Sequence, residues 1–327
     1  MKKSIIILTA LLFSGLTINS GAQTLSLVRV LPDARMLAMG NTGVAQPASS
    51  FSLYANSAAV ALTKDRLSFA GSYGIWQPGV QNNRLIGGAG FARLGERFAV
   101  TAGARFFTYP QITFYDNNGY AKGTFNPMEY TADLGIAFKI MPGFAVSANV
   151  HYLSSDMGTE QKGSAFLADI GLMYTVAGLR AGLTATHLGS KIDYGYGAYE
   201  LPASVNAGLG YRFEFGNKHS ISPIMEVSYR LPRNRSGIVA GAGMEYAFMQ
   251  LVFLRAGYRL GNQSISEPSY FSAGWRFFCR GGSGFCLPAG RSKLTFEKYH
   301  AAFAGMDFTV GVSAGHCPVH QTEFYVL

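Results

Sequence analysis

The chain has 327 residues with 40 glycines, 18 tyrosines and 24 phenylalanines; only 14% of its residues are charged, and its formal net charge is +9. A soluble domain carries about a quarter charged residues, so this composition excludes an ordinary water-facing surface. The basic excess is too diffuse to track phosphates, which excludes nucleic acid as an expected partner. Low charge with abundant aromatics and glycine suits a barrel whose outer face meets lipid between aromatic girdles.

Residues 1–22 read as a secretory signal peptide. Lys2 and Lys3 form the positive start, Ile5 to Leu16 is an apolar run, and Ser20-Gly21-Ala22 offers small residues for cleavage. The run is too short to span a bilayer as a stable helix, and no cysteine follows it for lipoprotein processing. The mature chain is expected to begin near Gln23 with a formal charge of +7. No later stretch reaches about 18 uninterrupted apolar residues, so any further span must be made by strands.

Residues 23–64 form a separate segment without strand alternation. Pro32-Asp33-Ala34-Arg35 leads into the glycine-punctuated run Ala38-Met39-Gly40-Asn41-Thr42-Gly43. Ser49 or Ser50 then caps an expected short helix holding Phe51, Tyr54, Ala58 and Leu62. A small, glycine-rich segment placed before the first strand is expected to act as a hatch in the lumen or as a lid at its mouth.

From residue 65 to residue 278 one pattern recurs: about ten residues of alternation, a tight turn, then about ten more, as transmembrane strands require. Leu67, Phe69, Gly71, Tyr73 and Ile75 share one face, and Leu85 to Leu94 returns to a turn at Gly95-Glu96. Phe98, Val100, Ala102, Ala104 and Phe106 then oppose Thr101, Gly103 and Arg105. An arginine facing lipid at mid-bilayer costs about 2–4 kcal/mol, so the face bearing Arg105 belongs in the lumen. Tyr130 to Phe138 alternates with Thr131, Asp133, Gly135 and Lys139; after Pro142-Gly143, Phe144 to Tyr152 alternates with Ser147, Asn149 and His151. Phe166 to Tyr174 places Asp169 inward, Ala177-Gly178 turns the chain, and Leu179 to Leu188 carries Arg180. Ser204–Phe215 with Ser220–Leu231, Gly237–Phe248 with Leu251–Leu260, and Tyr270–Phe278 bring the visible strands to twelve. Turns at Gly95, Pro142, Gly178, Asn217 and Met249 are short. Links at 108–127, 154–163, 189–201, 232–236 and 261–268 are mostly longer and are expected to face outside.

After Phe278 the alternation stops. Cys279, Cys286 and Cys317 all lie in this tail, and Gly281 to Ser292 has no strand pattern. A barrel needs closing strands here, because an open edge in lipid leaves backbone groups unpaired. Residues 279–327 are therefore expected to be an aberrant tail in place of the thirteenth and fourteenth strands. A shifted reading frame would produce such a tail. With synonymous codons chosen to suit, Cys279 to Asp307 read from the second base gives AGVDLDFAYLLAGPSSPLKNTMRLSLAWT, a strand, a loop and a strand.

The motifs Pro32-Asp33-Ala34-Arg35, Ala38-Met39-Gly40, Gly43-Val44-Ala45 and Leu53-Tyr54-Ala55-Asn56-Ser57-Ala58 resemble the N-terminal signature of the PorV/PorQ family. That family is related to the FadL-type transporters, whose equivalent segment reads Asn-Pro-Ala; here Ser57 stands in the proline position. Leu188-Gly189-Ser190-Lys191-Ile192, Leu201-Pro202-Ala203, Gly243-Met244-Glu245-Tyr246 and Leu254-Arg255-Ala256-Gly257-Tyr258 extend the resemblance over roughly residues 29 to 278. It implies an all-β fold, a 14-stranded transmembrane antiparallel barrel of the FadL-like plan with an N-terminal hatch. It also implies an outer-membrane component that handles exported proteins carrying a C-terminal sorting domain, in bacteria with type IX secretion.

The hatch residues singled out are Asp33, Arg35, Met39, Gly40, Gly43, Asn56, Ser57 and Ala58, with Arg35 and Asp33 free to pair with lumen charges. Arg105, Asp133, Lys139, Asp169 and Arg180 are the candidate lumen charges, and ion pairing or hydration is their ordinary role. His151 is expected in the lumen beside Asn149. Cys279 and Cys286 are spaced to allow a disulfide. His316, Cys317 and His320 are one ligand short of a metal site, and no metal or cofactor is expected. Gly87-Gly88-Ala89-Gly90 is strand packing without the lysine of a phosphate loop. No catalytic arrangement is legible, so the chain is not expected to be an enzyme. Two functions follow: a protein-handling outer-membrane component whose partners are lipids, secreted proteins or other secretion components, or a porter of small hydrophobic molecules. A shifted frame predicts that DNA from independent isolates differs by a base near the codon for Phe278; the present frame in every isolate contradicts it.

Overall fold

The computed structural model describes residues 26–76, 83–116, 118–158, 162–195, 197–216, 218–231, 236–265, 267–278, 309–313 and 321–326. Residues 1–25, the tail cysteines and His316, Cys317 and His320 lie outside the described residues.

The wall begins with β1 (Leu67–Trp76), β2 (Asn83–Leu94) and β3 (Phe98–Thr108). A small hairpin, β4 (Ile112–Tyr115) with β5 (Ala121–Phe125), then leaves the wall and pairs only with itself. The wall resumes with β6 (Met128–Met141), β7 (Phe144–Asp156), β8 (Gly163–Val176) and β9 (Leu179–Gly189). A second excursion, β10 (Ile192–Asp193) with β11 (Ala198–Tyr199), precedes β12 (Ser204–Tyr211), which continues into β13 (Phe213–Phe215). The remaining strands are β14 (His219–Arg230), β15 (Gly237–Phe248), β16 (Val252–Leu260), β17 (Tyr270–Phe278), β18 (Thr309–Ser313) and β19 (Gln321–Val326). Each of the twelve strands expected from alternation is present in the wall.

All neighbours pair antiparallel, in the order β1, β2, β3, β6, β7, β8, β9, β12, β14, β15, β16, β17, β19, β18 and back to β1. The pairings thus run as a circuit of fourteen wall positions. One feature departs from the sequence pattern, which shows no closing strands beyond Phe278. Two short tail segments occupy those positions in crossed order, with β19 beside β17 and β18 beside β1. Pairing the open edges of β1 and β17 satisfies backbone groups that lipid would leave bare.

Alternation sorts the side chains. Phe69, Leu134, Ile136, Val150, Phe166, Ile170, Met225 and Leu254 are exposed on the outer face, as lipid contact requires. Thr101, Arg105, Asp133, Asn149, Thr184, Asn206, Glu226 and Glu245 are buried on the inner one. Tight turns match the twist of the strands: Ala177 and Gly178 have φ values of 46° and 86°, and Met249 and Gln250 have 52° and 55°.

The inner face is covered by the N-terminal segment. It contains α1 (Ser26–Arg29), α2 (Ala34–Ala38) and two 3₁₀ turns at Ser50–Tyr54 and Ser57–Leu62. The single helix expected from Phe51 to Leu62 is therefore two turns, because Asn56 starts the second as its cap, its side chain accepting from Ala58 N–H. Leu27, Val28 and Val30 pack with Leu85, Phe107, Leu153 and Leu167 near the long-loop end of the wall. Ala58, Ala59 and Val60 pack with Phe91, Ala99, Ala137, Ala145 and Met173 near the short-turn end. The segment thus runs the length of the lumen from long loops to short turns before feeding β1. Segment and wall approach closely at Gly40, where φ is +75° and a Cβ would lie 2.6 Å from the Tyr258 carbonyl oxygen. Gly257 faces it, and a Cβ there would collide with the backbone of Met39 and Gly40.

Candidate functional site

Three polar clusters tie this segment to the wall. In the first, His151 bridges two carboxylates: Nδ1 lies 2.7 Å from Asp133 Oδ1 and Nε2 lies 2.9 Å from Asp169 Oδ2. Tyr54 of the hatch donates to Asp133 Oδ2 at 2.9 Å, and the Arg105 guanidinium stacks 4.2 Å from the centre of the Tyr54 ring. Arg105 also donates to the Leu27 and Val30 carbonyls. Asp169 accepts from the backbone N–H of His187, which sits at φ 57° where the β8–β9 register shifts. Both ring nitrogens of His151 are engaged, so neither is free to serve as a base.

In the second cluster Glu245 accepts from Arg35 at 2.7 Å and from Arg255 at 2.6 Å, while Asp33 caps α2 by accepting from the Arg35 and Met36 N–H groups. Next to it, Glu226 accepts from two successive backbone N–H groups, Gly43 at 2.7 Å and Val44 at 2.9 Å. Charged acceptors form hydrogen bonds about twice as strong as neutral ones. The third cluster lies in the link after β16. There Glu267 pairs with Arg29 of the hatch, with Arg230 at 2.8 Å and with Arg259 at 3.8 Å. Burial alone would raise the Glu267 pKa, but the surrounding Arg230, Arg29 and Arg259 outweigh it and hold the carboxyl below the usual glutamate range.

The remaining predicted residues also touch the interior. Asn56 donates to the Val44 and Leu172 carbonyls at 2.9 Å each, and Ser57 donates to Asn149 Oδ1 at 2.8 Å. Ser57 thus makes a side-chain hydrogen bond that a proline at this position could not. Ala58 is fully buried, Met39 packs with Ala45 and Ile224, and Gly40 N–H donates to Ser272 at 3.0 Å. Arg180 donates to the Ala45 carbonyl, whereas Lys139 lies half-buried near the short-turn end, away from the three clusters. The structure adds Glu226, Glu245, Glu267 and Tyr54, which sequence reasoning did not select as sites. The signal was present for the first two: each is an acid on the inward beat of an alternating strand, Glu226 between outward Met225 and Val227 and Glu245 next to outward Met244.

Within the lumen a cavity of about 60 Å³ lies between Arg29, Asn41, Glu226, His187, Arg230 and Arg259. That is room for about two water molecules. A far larger concavity of about 1000 Å³ lies on the lipid-facing side of β1, β2, β3, β6 and β7, lined by Phe69, Gly90, Ala102, Leu134 and Val150. Among the described residues no group of three His, Cys, Asp or Glu side chains could hold a metal ion.

Residues 18–233 match the family described as "Type IX secretion system protein PorV". No curated protein matches the chain. Among solved structures it is similar to the monoaromatic hydrocarbon channel CymD, with a TM-score of 0.54 and 14% identity over 92% of this chain and 97% of that one. It is also similar to the Pseudomonas putida toluene transporter TodX, with a TM-score of 0.52 and 13% identity over 90% and 95%. For the Ralstonia pickettii toluene transporter TbuX the TM-score is 0.51 at 15% identity over 89% and 95%. At these identities the likeness is one of fold.

The Glu267 cluster makes a pH prediction. Its carboxyl titrates lower folded than unfolded, so its contribution is complete above the ordinary glutamate pKa and is lost as pH falls through the depressed value. Limited proteolysis of residues 26–64 in detergent should therefore accelerate in acid. Glu267→Gln should weaken the anchor by about 3 kcal/mol at neutral pH and abolish that acid step. An unchanged pH profile in the variant contradicts the assignment.

Proposed function

This chain belongs to the PorV family of type IX secretion system proteins, and from that membership we propose that it handles exported proteins at the outer membrane with its lumen kept shut. The observation that carries the reading is the occupied lumen. The N-terminal segment runs its length, and the three polar clusters tie that segment to the wall. A path for an apolar solute would have to cross Arg105, Asp133, Glu245 and Arg255, all buried and charged. Burying a hydrocarbon against such groups gains little, and displacing the hatch from them leaves charges unpaired. The surface left for partners is the long-loop end, which by the usual asymmetry of bacterial barrels faces outside. There the β4–β5 hairpin exposes Ile112, Phe114, Tyr115 and Tyr120, and aromatic side chains of this kind are favoured anchors at protein interfaces. Export would begin with removal of residues 1–22 as a signal peptide.

The competing reading is a porter of small hydrophobic molecules, supported by fold likeness to hydrocarbon channels alone. Mass spectrometry of the barrel, gently purified from its native outer membrane, separates the two. We expect co-purifying exported proteins that share a C-terminal sorting domain, lost when residues 110–126 are shortened to a tight turn. Stoichiometric fatty acid or another apolar molecule, without such proteins, contradicts the proposal.

A further inference from the structure

Basic residues collect at the short-turn end of the lumen. Arg93 and Arg97 lie at the β2–β3 turn, Lys139 at the end of β6, Arg212 and Lys218 around β13, and Arg276 near the end of β17. The carboxylates among them are Glu96, Glu214 and Glu323, which stands in register with Arg276, and Glu214 pairs with Arg212 at 3.1 Å. Arg97, Lys139 and Lys218 have no ion pair among the described residues. Lys64, Asp65 and Arg66 at the foot of β1 add one further positive charge. The long-loop end is different: its arginines Arg29, Arg230 and Arg259 converge on Glu267.

Register shows where these groups point. Arg93 is two residues beyond buried Phe91, Lys139 two beyond buried Ala137, Arg212 two beyond buried Gly210 and Arg276 two beyond buried Gly274. All four are half-buried and lie on the lumen side of their strands, whereas lipid headgroups would be met by the opposite face. Arg97 and Lys218 are exposed on turns of the same rim. Fourteen strands about 4.8 Å apart and tilted about 40° enclose a mouth roughly 28 Å across between backbones. No single small anion bridges groups spread around such a rim. An extended polypeptide of about eight residues does.

We propose that this short-turn mouth is a docking vestibule for an acidic polypeptide segment, presented from the periplasmic side and held beneath the closed hatch. Charge complementarity selects the partner, and the wall behind it prevents threading. The site is independent of which exported protein the long loops meet, so either reading can fail without the other.

The test uses the full chain in nanodiscs of zwitterionic lipid and a fluorescent decaglutamate peptide as probe. Wild type should bind it at low salt, with affinity falling steadily as salt rises through the screening range. Combining Arg97→Gln, Lys139→Gln and Lys218→Gln should weaken binding by about tenfold or more while heat-modifiable gel mobility stays that of the folded barrel. Absence of binding by wild type at low salt overturns the proposal. So does equal binding by the folded variant. Salt-insensitive binding by wild type overturns it even if the variant fails to fold. Retention on phosphatidylglycerol vesicles without decaglutamate binding also overturns it, assigning the rim to lipid headgroups instead.

Discussion

Irregular backbone at membrane depth persists only where something supplies hydrogen-bond partners for it, since lipid supplies none. In this barrel the wall supplies them from its inward beat. Glu226 receives the Gly43 and Val44 amides, Arg105 donates to the Leu27 and Val30 carbonyls, and Arg180 donates to that of Ala45. Asn56 returns the favour from the hatch by donating to the Leu172 carbonyl of β8. The rest of the architecture depends on this exchange. Without it the turns at residues 26–64 would carry unsatisfied groups, each costing about 1–3 kcal/mol, and the wall would carry unpaired charges.

The same exchange explains why the interior is so polar in a chain with so little charge. Charges absent from the lipid face are concentrated inside, where they meet in sets such as Asp133, His151, Asp169 and Arg105 or Glu245, Arg35 and Arg255. Removing one partner strands another, so such sets resist piecemeal change. A lumen built this way favours a shut barrel that works at its rims over a conduit for apolar solutes, and the two rims differ in chemistry. Exposed aromatics stand at the long-loop end, and basic side chains outnumber carboxylates at the short-turn end.

Much of this was legible in sequence because strand periodicity is exact at two residues. The alternation around Arg105, Asp133, Asn149 and Asp169 is enough to place each inside, since the opposite choice puts a charge or an amide in lipid. The hatch was legible as a departure from that period and as a resemblance, but not in its contacts. Glu226 meeting Gly43 joins residues 183 apart, and Arg35 meeting Glu245 joins residues 210 apart. No local pattern carries such pairings. Nor does one reveal that Asn56 would cap a second 3₁₀ turn and split the expected helix. The tail shows the limit from the other side. Alternation is missing after Phe278, yet short segments there still pair into the gap between β17 and β1, because open edges in lipid are costlier than imperfect strands.

The central claim is that the hatch, held by wall carboxylates and arginines, keeps the lumen closed. Single-channel recording in planar bilayers tests it most directly, comparing wild type with a Tyr54→Phe, Arg35→Gln variant that loses contacts in two clusters. The account predicts a silent wild-type barrel and discrete openings in the variant. Steady conductance through the wild-type barrel would contradict it.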